Sequence, residues 1–148
     1  MRISKKCQYG LRAVFELAVR KTGRPVKIHQ IAGAQNIPPR FLEVILNQLR
    51  HAGFVESRRG NEGGYMLARD AGELTVGQVI RCIQGPINVT ADDGGSANGG
   101  GCLGESAFEE LWQKVNSAVS SICDSTTVAE LVEYERANGT ACALNYSI

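Results

Sequence analysis

IPPRFLEVILNQLRHAGFVESRRGNEGGYMLAR, residues 37–69, reads as one helix followed at once by a two-stranded ribbon. Pro38 and Pro39 suit a helix start, because the first-turn N–H groups have no intrahelical acceptor to lose and the ring pre-sets φ. Phe41, Leu42, Ile45, Leu46 and Leu49 recur at spacings of three and four, which predicts an apolar stripe turned toward a core. Arg40, Glu43, Asn47, Gln48 and Arg50 occupy the opposite face, and Gly53 stops the helix. Residues 54–57 and 65–67 read as short strands joined by Arg58-Arg59-Gly60-Asn61-Glu62-Gly63-Gly64, a Gly-rich tip that holds two arginines forward. A polar-faced helix with a basic hairpin behind it is the layout of a winged helix-turn-helix. Such a helix suits a major groove, and an arginine on the hairpin suits a minor groove or a row of phosphates.

The charge distribution points the same way. The net charge is +1, but residues 1–69 carry +9 and residues 70–148 carry −8. A basic half beside an acidic half suggests that the first meets a polyanion and the second does not. No apolar run approaches the ~20 residues needed to span a bilayer, so no membrane partner is expected. The first residues show no cleavage-site pattern, since Arg12, Glu16 and Arg20 interrupt their apolar run. Five widely spaced cysteines (Cys7, Cys82, Cys102, Cys123 and Cys142) argue against a disulfide framework and for a reducing, cytoplasmic compartment.

Working outward, Ser4 is placed to cap a first helix running to about Lys21, with Cys7, Leu11, Val14, Phe15 and Ala18 on its buried side. Its first turns put Ser4, Lys5, Lys6, Tyr9 and Arg12 within reach of phosphates. Residues 26–35 read as a second helix, linked so tightly to the third that the two must cross steeply. His29 and His51 have no histidine or cysteine at ligand spacing and read as surface or capping residues. After the wing, Thr75 caps a short helix over residues 76–83. Residues 88–105 hold six glycines and almost no apolar side chain, so they are expected to form a flexible loop. Residues 106–122 form a second long helix whose Phe108, Leu111, Trp112, Val115, Ala118, Val119 and Ile122 make a seam. Because a flexible loop precedes it, this seam is expected to pack on a second copy of the chain; folding back on its own head is the other use. Thr127-Val128-Ala129-Glu130 is a capping box opening a last helix that Gly139 is expected to end.

The fold class is therefore mainly α with a small β-wing. Residues 1–85 form a winged helix-turn-helix head, 86–105 a Gly-rich loop, 106–138 a dimerisation helix with a C-terminal helix, and 139–148 a tail. The residues expected at DNA are Arg40, Glu43, Asn47 and Arg50 on the helix, Arg58, Arg59 and Gly60 on the wing, and Ser4, Lys5 and Tyr9 before it. Those expected between two copies are Phe108, Leu111, Trp112, Val115, Val119 and Ile122.

The chain resembles the bacterial winged-helix regulator family of the IscR, NsrR and CymR type, the Rrf-two family. The resemblance is carried by Arg2-Ile3-Ser4 with Tyr9-Gly10-Leu11-Arg12-Ala13, then Ile37-Pro38 with Phe41-Leu42-Glu43. It continues through Gly53-Phe54-Val55, Arg59-Gly60, Gly63-Gly64-Tyr65 and Leu67-Ala68-Arg69. Beyond the wing it takes in Leu74-Thr75-Val76-Gly77 with Ile80, Leu111-Trp112, and Asp124-Ser125-Thr126-Thr127 with Glu130-Leu131. It spans about residues 1–135. The resemblance implies a homodimeric, cytoplasmic transcriptional repressor on a palindromic operator, its third helix in successive major grooves, Arg59 in the minor groove and Glu43 selecting bases.

One departure bears on mechanism. Cluster-binding members of that family carry three cysteines in the loop, often followed by a histidine. Here the loop has Cys102 alone, and Ser106 and Glu109 stand where the last cysteine and the histidine are expected. Iron–sulfur clusters are held chiefly by thiolates. The expectation is a regulator without cofactor or metal, responding to a small molecule, a partner protein or thiol oxidation, with Cys102 as the sensor position. An iron–sulfur cluster remains the alternative, with help from Cys82, Cys123 or a second subunit. A winged module that docks an acidic protein also stays open. An enzyme is not expected, because no nucleophile–base pair, phosphate-binding glycine pattern or two-histidine metal motif is present.

Overall fold

The first helix begins where its capping serine puts it. In the computed structural model, which describes residues 2–90 and 102–145 and side chains as far as residue 139, α1 spans Lys5–Val19 and Ser4 Oγ accepts from the Cys7 N–H at 3.1 Å. The Ser4 N–H donates to Gln84 Oε1 at 3.1 Å, which pins this start to the end of a later helix. α2 (Ile28–Gln35) ends at Asn36, whose φ of 52° turns the chain directly into α3 (Pro39–His51) with its proline in the first turn. Val26 differs from its expected place in α2. It exchanges two backbone hydrogen bonds of 2.8 Å with Tyr65 and so adds a bridge to the wing sheet. The first N–H groups of a helix have no acceptor within it, so Val26 gains a partner by staying extended.

β1 (Val55–Arg58) and β2 (Gly64–Leu67) pair antiparallel, Val55 opposite Leu67 and Arg58 opposite Gly64. The core lies between α1, α2, α3 and α4 (Val76–Gln84), with Leu42, Ile45, Leu46 and Leu49 of α3 buried at its centre. Phe41, expected in that stripe, is instead 62% exposed. At 3.6 residues per turn it stands about 90° from the middle of the stripe, on its flank. Gln48 corrects the reading in the other direction. It is half-buried, and its Nε2 donates to the Cys82 carbonyl at 2.7 Å, holding α3 to α4.

Thr75 and Gln78 cap α4 reciprocally, at 3.3 and 3.0 Å. α5 (Glu105–Ser125) has no buried residue along its whole length, although Val119 and Cys123 lean on the head's core. The capping box of α6 (Val128–Asn145) forms as predicted, Thr127 Oγ1 accepting from the Glu130 N–H at 3.2 Å and Glu130 Oε2 from the Thr127 N–H at 2.9 Å. Gly139 does not end this helix, which continues to Asn145. A glycine costs only about 1 kcal/mol in a helix interior, too little to stop one alone. The start of α6 is stitched into the head. The Val128 N–H donates to the Leu74 carbonyl at 2.9 Å and the Ala129 N–H to that of Ala71 at 3.1 Å, while Val128 and Val132 are buried in the core. Most of the expected Gly-rich loop, residues 91–101, lies outside the described residues, as do residues 146–148.

Candidate nucleic-acid interface

The exposed face of α3 follows from its buried one. With Leu42, Ile45, Leu46 and Leu49 turned inward, Arg40, Glu43, Asn47 and Arg50 point outward, as expected, and Phe41, Val44 and His51 join them. Phe41 (62%) and Val44 (57%) are the residues that the sequence reading missed here. The helical spacing contained the signal, because neither sits near the middle of the buried stripe. Packing of α1 on α3 sets Lys5, Lys6 and Tyr9 beside them, and these five line a shallow apolar groove at the start of α3. Ser4 lies at the same end, its hydroxyl already engaged in capping.

Arg50 is held rather than loose: its Nη2 donates to Asn47 Oδ1 at 3.1 Å, and its Nη1 reaches Ser57 Oγ on β1 at 3.4 Å. This contact ties the end of α3 to the first strand of the wing. His51 caps the helix locally, its Nδ1 lying 2.7 Å from the Asn47 carbonyl. On the wing, Arg58 pairs loosely with Glu56 at 3.7 Å. Arg59 is exposed and has no ion-pair or hydrogen-bond partner among the described residues, so its guanidinium is free for another acceptor. Gly60 (φ 111°) and the Gly63 N–H to Gly60 carbonyl bond of 3.0 Å shape the tip. Where β2 leaves the tip a Cβ on Gly64 would sit 2.4 Å from the Val26 carbonyl oxygen, so only glycine allows the Val26–Tyr65 bridge.

The head also has a rigid link to α5. Arg81 grips Asp124 with both guanidinium arms, at 2.6 and 2.8 Å. That hydrogen bonding holds the Asp124 carboxyl below its ordinary value and raises Arg81. Beyond this clamp α5 presents Phe108, Leu111, Trp112 and Ile122 largely to solvent, with Val115 and Val119 half-buried.

The thiols are dispersed. Cys7 is fully buried in α1, and burial raises its pKa. Cys82 in α4 is half-buried and is likewise raised by burial, a shift that the nearby Lys6 charge opposes. Cys123 is half-buried at the end of α5. Cys102 is exposed just before α5, its N–H donating to the Glu105 carboxylate at 3.2 Å; Ser106 and Glu109 are exposed beyond it. Among the described residues no three histidine, cysteine or acidic side chains come together as metal donors. The four described thiols of one chain are thus not gathered into the thiolate set that holds an iron–sulfur cluster.

Residues 3–134 match the family described as Rrf2, iron-dependent transcriptional regulator. An HTH-type transcriptional regulator of Mycobacterium tuberculosis is 39% identical over 138 residues, covering 88% of this chain and 81% of its own. The regulator CymR of Bacillus subtilis is 36% identical over 137 residues, covering 90% and 91%. The solved structure of CymR, the global cysteine regulator of B. subtilis, matches with a TM-score of 0.78 at 35% identity, over 90% of this chain and 98% of that one. The structure of IscR from T. potens matches with a TM-score of 0.72 at 32% identity, over 90% and 87%.

Proposed function

The chain belongs to the Rrf2 family and is a DNA-binding transcriptional regulator with a winged helix-turn-helix, and from that premise we propose that it is a homodimeric repressor of a palindromic operator. The observation that carries this reading is the outer face of α3 continuing through the Arg50–Ser57 contact into a wing whose Arg59 has no partner among the described residues. In this reading α3 lies in a major groove. Glu43 accepts from a base amino group, Arg40 and Asn47 reach base edges or phosphates, and Phe41 and Val44 lie against thymine methyl groups. Lys5, Tyr9 and the Ser4 end of α1 meet the backbone on one side, and Arg58, Arg59 and Gly60 meet the minor groove on the other. Phe108, Leu111, Trp112, Val115, Val119 and Ile122 of two copies bury one another, which accounts for a 21-residue helix with no buried side chain. No catalytic step is required, and the site of action is the cytoplasm. Among the described residues no helix is long and apolar enough to cross a membrane.

A second reading concerns the signal. Cys102 is an exposed thiol at the foot of the dimer helix. Oxidation there, or a cluster completed by a second subunit, would act on the spacing of two recognition helices. The test of the main reading is selection of bound duplexes from random-sequence DNA at two salt concentrations. The expected product is a palindrome with half-sites ~34 Å apart, about one helical turn, bound more weakly as salt rises. Enrichment of no sequence would count against the repressor and favour docking of an acidic protein.

A further inference from the structure

On the side of the head walled by α1 and β2, the chain leaves a cavity of about 300 Å³ between the end of α1, the α1–α2 turn and the wing's second strand. We propose that this cavity is a binding site for a small organic acid bearing an apolar tail.

The floor sets the tail. Leu17 and Ala18 of α1 and Val26 from the bridge are buried side chains that line it, and Leu67 of β2 closes it opposite. None of these offers a hydrogen bond from its side chain, so an inorganic anion or a sugar would lose hydration there without replacement. The volume is at the small end of ligand pockets, which limits the occupant to a small molecule.

The rim sets the head group. Arg20, Lys21, Arg24 and Arg69 line the cavity against a single carboxylate, Asp70. Arg20 is held by Glu16 from behind, and Lys21 pairs with Asp70 at 3.3 Å across exposed surface. Arg69 stacks on the Phe54 ring, its guanidinium carbon 5.4 Å from the centroid. Among the described residues neither Arg24 nor Arg69 has a carboxylate partner, so the lining residues keep a positive excess that one carboxylate would answer. Guanidinium groups bind carboxylates through paired N–H donors, which favours an acid over a neutral molecule of the same shape.

The same walls give an occupant leverage. Val26 fastens the wing, and Ala71, another wall residue, accepts the hydrogen bond from Ala129 that anchors α6. A bound acid therefore touches Val26, which fastens the wing, and Ala71, whose carbonyl anchors the start of α6. The site goes beyond the operator reading and does not rest on it, because its test contains no DNA.

The test is calorimetric titration of the full chain with acetate, isovalerate and 3-phenylpropionate, each against its neutral amide. Saturable binding of one isovalerate or 3-phenylpropionate per chain is expected, with acetate weaker for want of a tail. Each amide should bind at least about tenfold more weakly than its acid, equivalent to ~1.4 kcal/mol. Arg24→Glu, in an exposed turn, should weaken the acids by a similar factor, and Arg69→Ala supplies a second, independent variant. No saturable binding of any of the three acids overturns the proposal. So does equal affinity for acid and amide, or binding that both variants leave unchanged.

Discussion

Gly64→Ala tests how the wing is held. A Cβ at this position would lie 2.4 Å from the Val26 carbonyl oxygen and 2.6 Å from its carbon. These are backbone atoms, so no side-chain rotation relieves the clash and the bridge must open. Opening it loses both 2.8 Å hydrogen bonds between Val26 and Tyr65. At ~0.5–1.5 kcal/mol net for each bond, the loss is about 1–3 kcal/mol. For a chain of this length ~1 kcal/mol corresponds to about 2–4 °C, so Tm should fall by roughly 2–12 °C. Gly33→Ala is the matched control: Gly33 lies in α2 with nothing within 4 Å of an added Cβ. It should be neutral or stabilise by ~0.5–1 kcal/mol, because alanine loses less backbone entropy in a helix. Thermal and urea unfolding of the three proteins at one fixed concentration separates the cases. A Gly64→Ala variant as stable as Gly33→Ala would refute the bridge as the wing's fastening.

Other expectations follow from the same geometry. Arg59→Ala should weaken operator binding by ~1–3 kcal/mol per half-site, whereas Lys21→Ala, which removes only an exposed pair with Asp70, should leave it nearly unchanged; equal losses in a gel-shift titration would reduce the wing to a generic positive surface. Val115→Asp places a charge in the middle of the α5 seam, where dimer formation would desolvate it at a cost of several kcal/mol; sedimentation should find a monomer with a folded head, and a persistent dimer would mean that the seam packs otherwise. The Asp124 carboxyl is depressed in the fold by its Arg81 hydrogen bond, so its stabilisation is present above the ordinary carboxylate value of 3.8 and is lost as pH falls through the lower folded value. The stability gap between the wild type and Asp124→Asn should therefore persist from neutral pH to about pH 4 and close below it in acid unfolding curves. Among the described cysteines, iodoacetamide at mildly alkaline pH should modify exposed Cys102 first and Cys7 last, since burial both shields Cys7 and raises its pKa. Mass mapping that finds Cys7 modified before Cys102 would contradict this placement.

What the sequence alone determined is what nearby residues decide together. Ser4, Thr75 and Thr127 start helices because a hydroxyl three residues ahead of an N–H is complete chemistry within one turn. The 37–69 stretch carried the third helix, the wing and the basic tip for the same reason, and the resemblance to a regulator family rested on those local motifs. Only the tertiary structure placed Gln48 inside against Cys82, turned Phe41 outward beside Lys5 and Tyr9, and drew Val26 from helix into sheet. It likewise stitched the start of α6 into the head and set four cations around one apolar cavity. Each of these joins residues about 30 or more positions apart. A helical or strand period states which face of an element is apolar, but which neighbour covers that face is settled by how whole elements pack.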